Sequence, residues 1–141
     1  MKNQPIYNML PHRFEWELLT KIIGVDPLKS ATTCLETSKD SWFFKGHFPE
    51  YQIVPGVIII EAMAHTAGIM FKVSKDYENS LGVLAGINKA RFRQSVMPGD
   101  TIIITTTLKN LKASLAIVEA KAMVKDKLVA EAELLVGLAK R

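Results

Sequence analysis

A fifteen-residue stretch, Val57–Phe71, constrains the fold of this chain more than any other segment. Only Glu61, His65 and Thr66 within it carry polar side chains, and the rest is mostly isoleucine, alanine and methionine. This length and composition favour a helix over a strand, and Pro55-Gly56 stands where such a helix would begin. We therefore predict a helix that is buried on nearly every side.

Glu61 is the most unusual residue of this helix, since an ionised carboxylate in an apolar interior is costly unless it is paired. Burial also raises the pKa of a carboxyl group, which suits it to general acid catalysis. His65 follows four residues later and would share a helix face with Glu61. His47 precedes Glu61 by fourteen residues. Together with the free N–H groups at the helix start, these residues could supply a base, an acid and an oxyanion site.

The composition predicts one globular domain over residues 1–141. Hydrophobic residues make up 48% and charged residues 23%, which is typical of a protein with one compact core. Cys34 is the single cysteine, so an intrachain disulfide is excluded and a reducing compartment is favoured. The N-terminal residues lack the apolar core of a signal peptide, and the apolar run is too short for a membrane span. We therefore expect a cytoplasmic protein that does not enter the membrane.

The net charge of +4 and the pI near 9.2 make an acidic partner or substrate possible. The basic residues are spread along the chain and form no nucleic-acid-binding motif, so we expect no nucleic-acid partner.

Alternating and β-branched stretches on both sides of the helix predict strands. The predicted strands are Leu18–Val25, Ser30–Thr37, Leu81–Gly86, Ile87–Ser95, Thr101–Leu108, Ser114–Val124 and Leu128–Leu138. One apolar helix followed by four or five strands in a meander predicts an α+β fold, with an antiparallel sheet wrapped around the helix. Strand alternation would place Lys89, Arg91 and Arg93 on one face.

The segment GHFPEYQIVPGVIIIEAMAHTAGI, residues 46–69, resembles the active-site signature of the FabZ type of (3R)-hydroxyacyl-[acyl carrier protein] dehydratase. Further stretches agree with that family in order along the chain. They are Leu10–Arg13 (LPHR), Lys89–Arg93 (KARFR), Val96–Asp100 (VMPGD) and Ala130–Leu134 (AEAEL). The resemblance therefore covers almost the full length of the chain.

The resemblance implies a hotdog fold, a homodimer or a trimer of dimers, and an active-site tunnel at the dimer interface. The implied reaction is the reversible loss of water from a 3-hydroxyacyl group, carried on the phosphopantetheine of acyl carrier protein, to give a trans-2-enoyl group. His47 of one subunit would remove the proton from C2, and Glu61 of the other would protonate the departing hydroxyl. Gly56 and Val57, at the helix start, would hold the thioester oxygen. No metal or redox cofactor is implied.

Three departures from the family pattern bear on the substrate rather than on the reaction. His65 replaces the usual glutamine that hydrogen-bonds the catalytic carboxylate. Glu50-Tyr51-Gln52 replaces Gly-x-Pro after His47, and Thr20-Lys21 replaces Val-Asp near the N-terminus.

Several alternatives stay open at this point. His65 could instead be a core histidine bonded to a backbone carbonyl, and His12 is expected to support the N-terminal loop. Lys89, Arg91 and Arg93 are either a solvated strand face or a docking surface for the acidic carrier protein. A hotdog thioesterase, a double-bond isomerase and a non-catalytic acyl-binding subunit are the rival functions.

Overall fold

The computed structural model describes residues 4–13, 16–45 and 50–140. Its elements in chain order are α1 (Gln4–Met9), β1 (Lys21–Asp26), β2 (Ser30–Glu36), α2 (Gly56–Lys72), β3 (Ser80–Phe92), β4 (Thr101–Lys112), β5 (Leu115–Val124) and β6 (Lys127–Lys140). A 3₁₀ turn, Trp42–Phe44, lies between β2 and α2.

The predicted helix is confirmed as α2, which is one residue longer at each end than the apolar run. Pro55 has extended backbone angles and directly precedes the first helical residue. Proline suits a helix start because it lacks the backbone N–H that would have no acceptor there. The N–H of Val73 donates to the carbonyl of Ile69 and closes the last turn. Most of the helix is buried, because its apolar residues surround the axis.

The six strands of the described residues form one antiparallel sheet in the order β1-β2-β4-β5-β6-β3. In β5 and β6 buried residues alternate with partly exposed ones, so one face of the sheet packs on the core. Helix α2 packs against every strand of this sheet. The predicted α+β hotdog fold, with a sheet wrapped around one long helix, is confirmed.

The predicted meander is correct only for β4, β5 and β6. The stretches Leu81–Gly86 and Ile87–Ser95 form one strand, β3, which pairs with β6 instead of β4. Two register shifts, at Leu84/Gly86 and Asn88/Arg91, let β3 follow the curved sheet. The strand ends at Phe92, and the chain then passes beneath the start of α2, where the carbonyl of Val96 accepts from the N–H of Val54.

The first strand is shorter than predicted and begins at Lys21 instead of Leu18. Leu18 and Leu19 are buried ahead of the strand, so their apolar character reflects core packing and not strand pairing. Among the described residues, no helix combines the length and the apolar character needed to cross a membrane.

Candidate active site

One stripe of α2 is more accessible than the rest of the helix. It runs from Val57, whose exposed fraction is 75%, through Glu61, Ala64 and Gly68. These residues are spaced by three or four, so they lie above one another on one face. The N-terminal segment covers part of this face, because a Cβ on Gly68 would lie 3.3 Å from the side chain of Leu10. The stripe therefore leads from the helix start to a partly covered carboxylate.

Glu61 and His65 are in contact, as their spacing predicts. The Nε2 atom of His65 lies 3.3 Å from the Oε2 atom of Glu61, with the His65 side chain 2% exposed and the Glu61 side chain 30% exposed. The His65 imidazole, mainly through its polar contact, lowers the pKa of Glu61 and outweighs the burial that would raise it. The expectation of a raised pKa is therefore wrong for this chain, since Glu61 is only half-buried and has an imidazole beside it.

His12 is a member of this site that the sequence interpretation assigned only to the support of a loop. Its ring stacks on the ring of His65, with centroids 3.7 Å apart and an angle of 29° between the planes. Arg13 fixes the turn by donating from its guanidinium to the carbonyls of Leu10 and His12. Burial, reinforced by the charge of His65, lowers the pKa of His12 to about 4. His12 is thus a neutral imidazole near neutral pH.

Two imidazole nitrogens of this cluster are buried without a hydrogen-bond partner among the described residues: Nδ1 of His12 and Nε2 of His65. The contact between His65 and Glu61 is close, yet its geometry falls short of a hydrogen bond. His12, Glu61 and His65 each offer one potential ligand atom, and the three atoms lie within 4.8 Å of one another. This trio is the set of described residues best placed to hold a metal ion.

The start of α2 presents the backbone groups expected of an oxyanion site. The first N–H groups of an α-helix, here those of Gly56 and Val57, have no acceptor within the helix and lie at its positive end. The carbonyl of Pro55 accepts from the N–H groups of Ile58 and Ile59 at 3.0 and 3.4 Å. Gly56 and Val57 thus lie at the positive end of α2, and their role as an oxyanion site stays a prediction.

Two cavities flank this helix start. The first, of about 280 Å³, lies between the segment around Gly56 and the segment that ends β3. Its lining residues are Ile53, Val54, Gly56, Ile59, Phe92, Arg93, Gln94, Ser95 and Val96. A Cβ on Gly56 would come within 2.9 Å of the Phe92 ring, so glycine permits the close approach of β3. The first cavity therefore brings the helix start next to the end of β3.

The second cavity, of about 460 Å³, is mostly apolar and includes Val57 and Lys45 in its lining. Its remaining lining residues are Trp16, Trp42, Phe43, Pro55 and Ile58. The Trp16 and Trp42 rings meet edge to face, with centroids 6.0 Å apart. Sequence reasoning missed both tryptophans, since they are far apart in the chain and only the fold brings them together.

His47, the predicted base, lies outside the described residues, in the segment 46–49. Its position relative to Glu61 stays a prediction.

The three basic residues near the end of β3 gather around Glu131 on the outer face of the sheet. Arg91 is paired with Glu131 in the strand ladder, and Arg93 donates to it through Nε at 2.6 Å. Lys89 lines a shallow cavity that also contains Glu119, Glu131 and Glu133. These glutamates therefore partly neutralise the positive charge of the three basic residues. The alternation of residues along the strand did not predict this.

Comparison with known proteins adds a second line of information on this site. A family model described as a FabA-like domain matches residues 10–133. A 3-hydroxyacyl-[acyl-carrier-protein] dehydratase FabZ of Ruminiclostridium cellulolyticum is 39% identical over 140 residues, which cover 99% of each chain. The protein of the same name from Listeria welshimeri is 37% identical over 133 residues, covering 94% of this chain and 92% of its own.

Among solved structures, the dehydratase heterocomplex ApeI:P of Xenorhabdus doucetiae matches with a TM-score of 0.84 at 20% identity. The match covers 99% of this chain and 94% of that chain, and it shows that the two share a fold.

Proposed function

Because the chain belongs to the FabA-like domain family, we propose that it is a dehydratase acting on 3-hydroxyacyl groups carried by acyl carrier protein. The product is the trans-2-enoyl thioester, in fatty acid or related lipid synthesis. The relatives that match nearly its whole length are named for this reaction. The observation that carries the proposal is the position of Glu61. It is a half-buried carboxyl group on the accessible stripe of α2, one turn beyond the free N–H groups of the helix start.

The reaction is a proton removal at C2 coupled to the loss of the hydroxyl at C3. Glu61 donates its proton to the C3 oxygen as the C–O bond breaks, and the hydroxyl leaves as water. The N–H groups of Gly56 and Val57 stabilise the negative charge that develops on the thioester oxygen. The helix dipole acts in the same direction at this end of α2.

The lowered pKa of Glu61 favours its carboxylate form near neutral pH. In the hydration direction, that carboxylate takes a proton from the water that attacks C3. In the dehydration direction, Glu61 must first acquire a proton, and its low pKa then makes it a stronger donor. The hydration direction is therefore the more sensitive assay of this site.

His47 is the base that we assign to the C2 proton, contributed across a homodimer interface. The end of β3 lies beside Gly56, and β3 is an edge strand of the sheet. A second subunit joined along β3 would therefore bring its own residues close to the helix start. Cys34 is buried and unpaired, which is compatible with the reducing, cytoplasmic location that we propose.

The two cavities at the helix start suit the two ends of the substrate. The apolar cavity beside Val57, lined by Trp16 and Trp42, matches an acyl chain. The cavity beside Gly56 has more polar lining, with Arg93, Gln94 and Ser95, and matches the amide-bearing pantetheine arm. We assign the acyl chain to the first cavity and the pantetheine to the second.

The test is hydration of trans-2-enoyl thioesters, followed by the loss of their ultraviolet absorbance. Crotonyl and longer acyl groups are supplied on pantetheine and on acyl carrier protein. We expect Glu61→Gln and His47→Ala each to lower kcat/KM at least about 100-fold, because each removes a general acid–base group. Glu78→Gln, at an exposed position between α2 and β3, is the matched control and should retain full activity.

Two outcomes would argue against this function. Release of free thiol without hydration would place the protein among the thioesterases. Full activity in Glu61→Gln would remove the carboxyl group from the mechanism.

A further inference from the structure

His12, Glu61 and His65 come from two separate parts of the chain and converge at one place. His12 belongs to the irregular segment between α1 and β1, whereas Glu61 and His65 lie one turn apart on α2. Their potential ligand atoms are all within 4.8 Å of one another. Two imidazoles and one carboxylate form a donor set that zinc and its neighbours in the transition series prefer.

The two unpartnered nitrogens are a second and independent observation. Nδ1 of His12 and Nε2 of His65 are buried without hydrogen bonds among the described residues, and the His65 side chain is only 2% exposed. A buried polar atom without a partner is destabilising, so such atoms call for an explanation. A metal ion would satisfy both nitrogens at once, because each would direct its lone pair to the ion.

One of the ligand separations already matches a tetrahedral site, and a small movement of His12 would bring the others to it. Bonds of about 2.0–2.1 Å to zinc place neighbouring ligand atoms roughly 3.3 Å apart. The Nε2 atom of His65 and the Oε2 atom of Glu61 are already 3.3 Å apart. The ligand atom of His12 lies at most 4.8 Å from those of Glu61 and His65. It must therefore move by no more than about 1.5 Å to reach a separation of roughly 3.3 Å. The stacked rings must also tilt so that their lone pairs converge.

We propose that His12, Glu61 and His65 form a binding site for one divalent transition-metal ion, such as Zn²⁺, and that the bound ion inhibits the enzyme. Coordination would occupy the carboxylate oxygen that must exchange a proton with substrate. The inhibition rests on the proposed dehydratase function, whereas the binding of the ion does not.

Binding is measured by calorimetry on the full chain, treated with EDTA, dialysed and then titrated with zinc chloride. We expect one ion per chain, and binding weakened at least about tenfold in His12→Asn and in His65→Gln, because each loses a ligand. Magnesium chloride should give no binding, since Mg²⁺ prefers a cage of oxygen atoms. Glu119→Gln, which changes an exposed carboxylate, should bind zinc as the wild type does.

The proposal is overturned if zinc does not bind, or if both histidine variants bind it as tightly as the wild type. Circular dichroism establishes that each variant is folded. If His65→Gln does not fold, His12→Asn decides the matter, because His12 lies outside the helix and only partly buried.

Inhibition is measured as the ratio of hydration rates with and without zinc for each protein. We expect stoichiometric zinc to suppress the wild-type rate and EDTA to restore it, and we expect a smaller effect on His12→Asn. Binding without inhibition would overturn the second half of the proposal. Binding by a protein that hydrates no enoyl thioester would uphold the site and refute the dehydratase function.

Discussion

A pair of buried hydroxyl groups connects α2 to the sheet at the level of single residues. The Thr66 hydroxyl donates to the carbonyl of Ala62 at 2.8 Å, and its oxygen lies 2.8 Å from the hydroxyl oxygen of Thr33 in β2. Both threonines are 0% exposed. Because Thr66 already uses its proton within the helix, Thr33 must be the donor to Thr66.

This assignment predicts an asymmetric response to substitution. Thr66→Val leaves the Thr33 hydroxyl buried without an acceptor and should lower the free energy of unfolding by about 1–3 kcal/mol. Thr33→Val should cost less, because Thr66 keeps its bond to Ala62. The double variant should be more stable than Thr66→Val alone, since no orphaned hydroxyl remains. Urea denaturation measures all three.

Thr107→Val, at an exposed position of β4, is the control and should change stability by less than about 0.5 kcal/mol. Equal losses in Thr33→Val and Thr66→Val would contradict the direction of the hydrogen bond.

Some properties of Glu61 could be predicted from its neighbours in the sequence, and others could not. The spacing of Glu61 and His65 correctly predicted their contact. The predicted rise in the pKa of Glu61 was wrong, because the shift depends on how much of the carboxyl group reaches solvent and on how close the imidazole lies. The stacking of His12 on His65 had no sequence signal, since the two residues are more than fifty positions apart.

At the scale of elements, the basic residues at the end of β3 are the proposed docking surface for the carrier protein. The sequence predicted a basic face at Lys89, Arg91 and Arg93, and the structure shows three glutamates beside it. Because Arg93 also lines the cavity assigned to pantetheine, the test substitutes only the other two basic residues. Lys89→Ala with Arg91→Ala should raise the KM for carrier-bound substrate and leave the KM for a pantetheine substrate unchanged. The reason is that only the carrier protein would meet this surface. Steady-state hydration kinetics with both substrates give the comparison.

The matched control removes two exposed lysines elsewhere, Lys39 and Lys75, and so changes the net charge equally. A similar rise in KM in this control would mean that overall charge, and not the β3 surface, attracts the carrier. Equal losses on both substrates in the β3 variant would also end the docking interpretation.

For the molecule as a whole, the two edges of the sheet decide how subunits can meet. The β3 edge is thirteen residues long and exposes Val83 and Ile87 by 50% and 46%. The β1 edge is six residues long and exposes Ile23 and Val25. A long apolar edge strand with unpaired backbone groups is a site for pairing with another chain. The longer β3 edge also lies beside the helix start.

We predict that the homodimer forms along β3. Val83→Lys with Ile87→Lys should reduce the mass in solution to that of one chain, 15.7 kDa, and should abolish hydration, because each site would lose the residues of its neighbour. Ile23→Lys with Val25→Lys, the same change at the other edge, should retain the wild-type mass and activity. Light scattering after gel filtration provides the masses. A full-size assembly in the β3 variant would refute this interface.

The sequence by itself determined the buried helix, the antiparallel strands around it and the local pairing of Glu61 with His65. Each of these follows from the periodicity and apolar content of a short stretch, because a helix and a strand bury their residues with different spacings. Only the tertiary structure decided that β3 pairs with β6, that His12 reaches His65, and that Trp16 and Trp42 line one cavity with Val57. These contacts join residues distant along the chain, and they depend on the curvature of the sheet around the helix, which no local pattern encodes.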